Sequence, residues 1–316
     1  MIANNLREKS VLVTGGAGFI GSHVVDGLIQ AGCKVTVVDN LSTGKRDNIN
    51  PRADFYEADI RDRSVLEIFR QVRPEAVSHH AAQSSVQVSL VRPELDAGTN
   101  ILGTLNVLRC AVSSGTQHFI YIGTGGAVYG DPPVLPCTEE EPVNPLSPYA
   151  VSKYAGEHYA RQMSAVAGVR HTVLRYANVY GPRQDPHGEA GVVAIFAGQM
   201  LSDVQPTING DGLQERDFVY VGDCVRANIQ ALAIAVEGVF NIGTGIGTSI
   251  NELYERLASV VGYGREPNYG PAKAGETKKI YLDTSKARER LRWEASVPLA
   301  DGLKMTARAL QSSKAG

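Results

Sequence analysis

Cysteine is scarce here and shows no pairing pattern. The four residues Cys33, Cys110, Cys137 and Cys224 are scattered over 316 positions with no C-x-x-C pair. That argues against a disulfide scaffold and a zinc ribbon, and for reduced thiols in a cytoplasmic protein. An excess of one charge is also missing. Thirty-one Lys and Arg stand against 33 Asp and Glu, a net charge of -2, so neither nucleic acid nor a membrane surface is expected as a partner. No apolar run approaches the roughly 20 residues that span a bilayer, and no basic stretch leads into one near residue 1. The pair His79-His80 lacks the i, i+4 spacing of a zinc helix, so no metal is expected. Tandem repeats and low-complexity tracts are absent from the sequence.

Glycine is abundant, at 33 residues, and the most informative glycines come early. Val11-Leu-Val-Thr-Gly-Gly-Ala-Gly-Phe-Ile-Gly21 places Gly15, Gly18 and Gly21 in a G-x-x-G-x-x-G spacing. The apolar, β-branched run before it suits a buried parallel strand, and apolar residues at helical spacing follow. A strand, a glycine turn and a helix form a pyrophosphate site: the glycines allow close backbone approach, and the helix N-terminus offers free N–H groups. The next apolar run ends in Asp39, 18 residues after Gly21, near the offset at which an acid grips a ribose diol.

Strand-like runs recur at Val11, Val35, Phe55, Ala76, Phe119 and Thr172. Helix-like runs separate them at 18–31, 62–72, 99–114 and 149–168. This alternation predicts an α/β fold with a doubly wound parallel Rossmann sheet. After about residue 180 the segments are shorter and rich in Gly and Pro. Short strands near Thr207, Asp217 and Val239 alternate with helices. We therefore expect an NAD-binding domain over 1–180 and a smaller α/β substrate lobe over 181–316.

Ser147-Pro-Tyr149-Ala-Val-Ser-Lys153 is the second strong signal. Ser147 can cap a helix and Pro148 suits its first turn. Tyr149 and Lys153 are then i and i+4 on one face. A free tyrosine, with a pKa of about 10, is a poor base at neutral pH. A nearby ammonium and a cationic nicotinamide ring favour its phenolate.

With these motifs in place, nearly the whole chain resembles the UDP-glucose 4-epimerase family of extended short-chain dehydrogenases/reductases. Further marks are Asp39-Asn-Leu-Ser-Thr-Gly44, Asp59-Ile60, His80-Ala-Ala82, Asn100-Ile-Leu-Gly-Thr104, Val128-Tyr-Gly130, Asn178-Val-Tyr-Gly-Pro182 and Arg216-Asp-Phe-Val-Tyr-Val-Gly-Asp223. The resemblance implies bound NAD. Gly15, Gly18, Phe19, Ile20 and Gly21 would form its phosphate turn, and Asp39, Asn40, Ser42, Thr43 and Gly44 its ribose site. Asp59 and Ile60 would bracket the adenine. His80, Ala81, Ala82, Asn100, Lys153 and Tyr176 would serve the rest of the cofactor. It implies a UDP-sugar substrate held by Ser84, Ser85, Asn178, Val192, Asn209, Arg216, Lys273 and Glu276. It implies that the Tyr149 phenolate takes the 4-hydroxyl proton while hydride leaves C4 and then returns to the other face. It also implies a homodimer through helices 99–114 and 149–168, with Leu102, Leu105, Val107 and Leu108 as a candidate apolar surface.

The departures from the family pattern are informative. Gly126 and Ala127 stand where related dehydratases and decarboxylases usually carry an acid, which speaks against 4,6-dehydration. Gly125 stands where many members place a Ser or Thr, so Thr124, one position earlier, is expected to hydrogen-bond the sugar 4-hydroxyl. Lys273 replaces an arginine fork with a point charge, and Asn209 replaces an aromatic base-stacking residue. Ile280 aligns with the sugar-pocket gate, where a smaller side chain would admit N-acetylhexosamines. The alternatives are a UDP-glucuronate 4-epimerase or decarboxylase, a net dehydrogenase, and a non-catalytic NAD-binding sensor.

Overall fold

The computed structural model describes residues 5–186, 191–272 and 277–315. Lys273 and Glu276 lie outside them. The chain runs β1 (Ser10–Thr14), α1 (Phe19–Gln30), β2 (Lys34–Asp39), β3 (Asp54–Glu57), α2 (Val65–Val72), β4 (Ala76–His79), α3 (Val86–Val91) and α4 (Pro93–Ala97). A π-helical turn over Gly98–Gly103 then leads into α5 (Thr104–Ser113), β5 (His118–Thr124), α6 (Gly125–Val128), α7 (Pro148–Ala167), β6 (Arg170–Tyr176) and β7 (Asn178–Tyr180). Next come α8 (Val192–Met200), β8 (Thr207–Asn209), β9 (Glu215–Arg216), β10 (Phe218–Tyr220), α9 (Val221–Ile234) and β11 (Gly238–Ile242). The last elements are β12 (Thr248–Ser249), α10 (Ile250–Val261), β13 (Asn268–Gly270), β14 (Lys279–Ile280) and α11 (Leu299–Ala315).

Seven strands form one sheet in the order β11-β6-β5-β4-β1-β2-β3, every pair parallel. Alternation along β1 shows why both faces are covered. Val11 and Val13 join the core under α1 and α9, while Leu12 joins that of α2, α5 and α7. The order reverses between β1 and β4, so a crevice opens at the carboxyl ends of those strands, where ligands bind in such sheets.

The expected lobe from residue 181 onward is interrupted. Strand β11 pairs with β6, from Gly238 against Thr172 to Ile242 against Tyr176, and α9 packs on α1. Residues 221–242 thus return to the large domain. The remaining segments bury their own core, in which Phe196, Phe218, Leu253, Leu257 and Leu303 meet. No described helix is long and apolar enough to cross a membrane.

Candidate active site

The site grows from four strand ends. After β1, Gly15 turns at φ +70°, and a Cβ there would lie 2.6 Å from the Ala81 nitrogen. A Cβ on Gly21, in the first turn of α1, would lie 2.1 Å from the Gly15 oxygen. Only hydrogens fit at both points, so the helix N-terminus sits tight on the turn and points its N–H groups into the crevice. Asp39 ends β2 and is buried; its carboxylate accepts from the Ala17 nitrogen at 3.0 Å and the Leu41 nitrogen at 2.8 Å. Asp59 accepts from Asn40 at 2.8 Å. The Arg61 guanidinium beside it holds its carboxyl well below the usual range.

The resulting cleft measures about 1300 Å³. It brings together Gly15, Gly18, Phe19, Ile20, Gly21, Asp39, Asn40, Ser42, Thr43, Gly44, Asp59, Ile60, His80, Ala81, Ala82 and Tyr176 on the cofactor side. Ser84, Ser85, Thr124, Tyr149, Lys153, Asn178, Val192, Asn209 and Arg216 line the same cleft. Asp39 puts a carboxylate on the cleft wall, an environment that repels a phosphate group. The two cations after it are engaged elsewhere: Arg46 with Glu57, and Lys45 with Asp185.

Helix α7 starts as its sequence predicts. Ser147 Oγ accepts from the Ala150 nitrogen at 3.2 Å, and Pro148 opens the first turn. The Thr124 hydroxyl lies close enough to the Tyr149 phenol to favour its ionised form. Lys153 lies one turn on, its ammonium 4.7 Å from the centre of the Tyr121 ring. Burial pushes Tyr149 up to about 12 and Lys153 down to about 8. Without the cationic ring that was expected to act beside Lys153, the phenol stays in its neutral form. Burial disfavours the charged form of both groups, so a cation entering the cleft is needed to lower the phenol.

Several residues take other roles than expected. Asn100 is buried and does not line the cleft. Its amide bonds the main chain of Gln83 in both directions, at 2.9 Å each, and donates to Asp96 and Ser152. Ser85 Oγ caps α3, accepting from the Val88 nitrogen at 2.9 Å, whereas Ser84 is exposed on the cleft wall. Ile280 is 1% exposed and packs in the core beside Leu282 rather than on the cleft wall. Gly125 has a steric cause: a Cβ there would lie 2.5 Å from Leu282 and 3.1 Å from the Arg175 carbonyl. A Ser or Thr at 125 would crowd both, and Thr124, one position earlier, lines the cleft. Gly126 and Ala127 line the cleft where an acid would otherwise stand.

Sequence reasoning missed Gln83 and Asp96. The available signal was an acid one helical turn before Asn100. The two acids of the 216–223 motif are architectural. Asp217 accepts from Thr244, Gly245 and Leu282, and Asp223 from Arg226, Ser296 and Val297. No group of three or more metal-ligating side chains occurs among the described residues.

A parallel sheet that reverses beside a glycine turn, with a Tyr-x-x-x-Lys helix over the same crevice, defines an enzyme of the extended short-chain dehydrogenase/reductase class. The model of the NAD dependent epimerase/dehydratase family matches residues 11–243, and the chain belongs to that family. A putative UDP-glucose 4-epimerase of Methanocaldococcus jannaschii is 48% identical over 93% of this chain and 96% of its own. The UDP-glucose 4-epimerase of Thermotoga maritima, solved with UDP-glucose, superposes with a TM-score of 0.93 at 50% identity, covering 96% of this chain and 99% of that one. The UDP-glucose 4-epimerase of Thermus thermophilus, solved with NAD, superposes with a TM-score of 0.91 at 43% identity, with the same coverage.

Proposed function

We propose that this protein is an NAD-dependent UDP-hexose 4-epimerase that interconverts UDP-glucose and UDP-galactose. The observation that carries this reading is that Tyr149, Thr124 and, one turn on, Lys153 line the same cleft as Asp39 and the Gly15–Gly21 cradle. NAD, when bound, supplies the acceptor and then the donor for the C4 hydride. Tyr149 Oη takes the proton of the 4-hydroxyl and gives it back after the sugar has turned. Lys153 opposes the phenol's burial with its charge, and Thr124 orients the oxygen that exchanges the proton. Arg216 and Asn178, at the far end of the cleft, face the nucleotide diphosphate. Four buried thiols fit action in the cytoplasm.

The glycine and alanine at 126 and 127 support epimerisation over 4,6-dehydration, because neither can move a proton beyond C4. Incubation with UDP-glucose, UDP-galactose, UDP-N-acetylglucosamine and UDP-glucuronate in turn, read by NMR, tests the assignment. The C4 epimer of UDP-glucose or UDP-galactose is expected; a pentose product would point to decarboxylation instead. In the same assay Thr124→Ala is expected to lose on the order of 2 kcal/mol of transition-state stabilisation, about thirtyfold in rate. An unchanged rate would remove Thr124 from the mechanism.

The working form is proposed to be a homodimer. Val107 and Leu108 pack inside the subunit and Leu105 is half-buried, but Leu102, Val112, Val151, Tyr159 and Val166 are exposed on α5, α7 and the π-helical turn. These residues form an apolar surface that a second copy would cover. Light scattering after gel filtration should give twice the chain mass, falling to one mass in Leu102→Glu/Val151→Glu.

A further inference from the structure

Beneath the cleft floor lies a buried carboxylate that the reading above does not use. Asp96, on α4, is 1% exposed. Its Oδ1 accepts from Gln83 Nε2 at 2.8 Å and from Asn100 Nδ2 at 3.1 Å. Both donors are neutral amides. Gln83 belongs to the loop that follows β4 and lines the cleft, and Asn100 also bonds Ser152 Oγ, at 3.0 Å, on the catalytic helix α7. One carboxylate thus ties the cleft loop and, through Asn100, the catalytic helix together.

The groups facing Lys153 show what that charge does. On α7 itself are Tyr149 and Glu157. Glu157 is committed to Arg175, with bonds of 3.0 and 2.6 Å. On β5 is the Tyr121 ring, whose hydroxyl donates to the Lys153 carbonyl at 3.0 Å. On β4 are His79 and His80, both of which burial pushes down, His80 to about 3, so they are neutral at working pH. Beside Glu157, the other buried carboxylate is Asp96, joined through Asn100 to Ser152, the residue before Lys153 on α7. Its field favours the Lys153 ammonium and disfavours the Tyr149 phenolate.

We propose that Asp96 is a positioning residue for epimerisation: held by Gln83 and Asn100, it keeps Lys153 charged and sets the pH range in which Lys153 and Tyr149 work as a pair. This rests on the functional reading above. The active form has an ionised phenol and a charged lysine. Activity therefore rises as Tyr149 loses its proton in the NAD-loaded protein and falls as Lys153 loses its own. Removing one buried negative charge lowers both values, so the whole bell moves to lower pH without changing its width.

The test is the pH dependence of kcat in Asp96→Asn, in Asp96→Ala and in the charge-retaining Asp96→Glu. Both limbs should move acid-ward in the first two variants, on the order of one pH unit for a single buried charge at this range, and stay in place in Asp96→Glu even if its maximum falls. The phenolate absorbance of the NAD-loaded protein, taken as the difference from Tyr149→Phe, should move with the acid limb. A bell that keeps its position while only its height changes overturns the proposal. So does an equal displacement in Asp96→Glu, or a failure of both neutral variants to fold, which would make Asp96 a folding residue. If the unaltered protein epimerises no UDP-hexose, the functional reading fails instead.

Discussion

Tyr149→Phe is expected to epimerise UDP-galactose between about a hundredfold and ten-thousandfold more slowly than the unaltered protein, the range over which a positioned acid–base group acts. The substitution removes one oxygen. It leaves the half-buried ring in place on the cleft wall and takes away only the hydroxyl. The fold and NAD affinity should persist, so the loss falls on kcat. Single-turnover assays on NAD-loaded protein would check this. A variant within tenfold of the parent would show that some other group moves the 4-hydroxyl proton. None of the side chains around C4 at positions 125, 126 and 127 can do so, because they are Gly, Gly and Ala.

Gly21→Ala is the second large effect. The added methyl would sit 2.1 Å from the Gly15 oxygen and 2.9 Å from its carbonyl carbon. Backbone on both sides means no flexible side-chain end can yield. Helix α1 must lift off the turn, and its N–H groups leave the line on which a diphosphate is held. Overpacking of this kind costs about 1–3 kcal/mol, so NAD affinity should fall by up to about a hundredfold, with a lowered melting temperature. Titration calorimetry with NAD would measure it. Gly18→Ala is the control, since its Cβ would be 3.3 Å from the same oxygen; its loss of affinity should be several-fold smaller.

Much of this was legible because the signals are local. The β1–glycine turn–α1 unit, the acid ending β2 and the Ser147-Pro148 start of α7 each depend on neighbours within one turn or one strand. What escaped the sequence depends on distant partners. Strand β11 looks like any short strand of a small lobe; its place in the main sheet is set by β6, more than sixty residues earlier. Asn100 reads as a cofactor ligand; that its amide also bonds the Gln83 main chain in both directions could not be read from the sequence. Ile280 aligns with a gate, but its pairing beside Arg216 turns it into the core. The Tyr-Lys spacing and the cationic ring were both legible as supports for the phenolate; the burial that pushes the phenol up to about 12 was not, because it depends on the whole packed cleft.

Gly125 shows the same limit from the other side. In sequence it is a missing hydroxyl. In the structure it is a close approach to Leu282 and the Arg175 carbonyl, while Thr124 beside it lines the cleft with Tyr149.

The most direct measurement follows deuterium placed at C4 of UDP-galactose through conversion in ordinary water. If Tyr149 moves only the hydroxyl proton while the C4 hydrogen crosses as hydride and returns, the UDP-glucose formed keeps its deuterium at C4. Deuterium lost to solvent, or no UDP-glucose at all, would contradict this account.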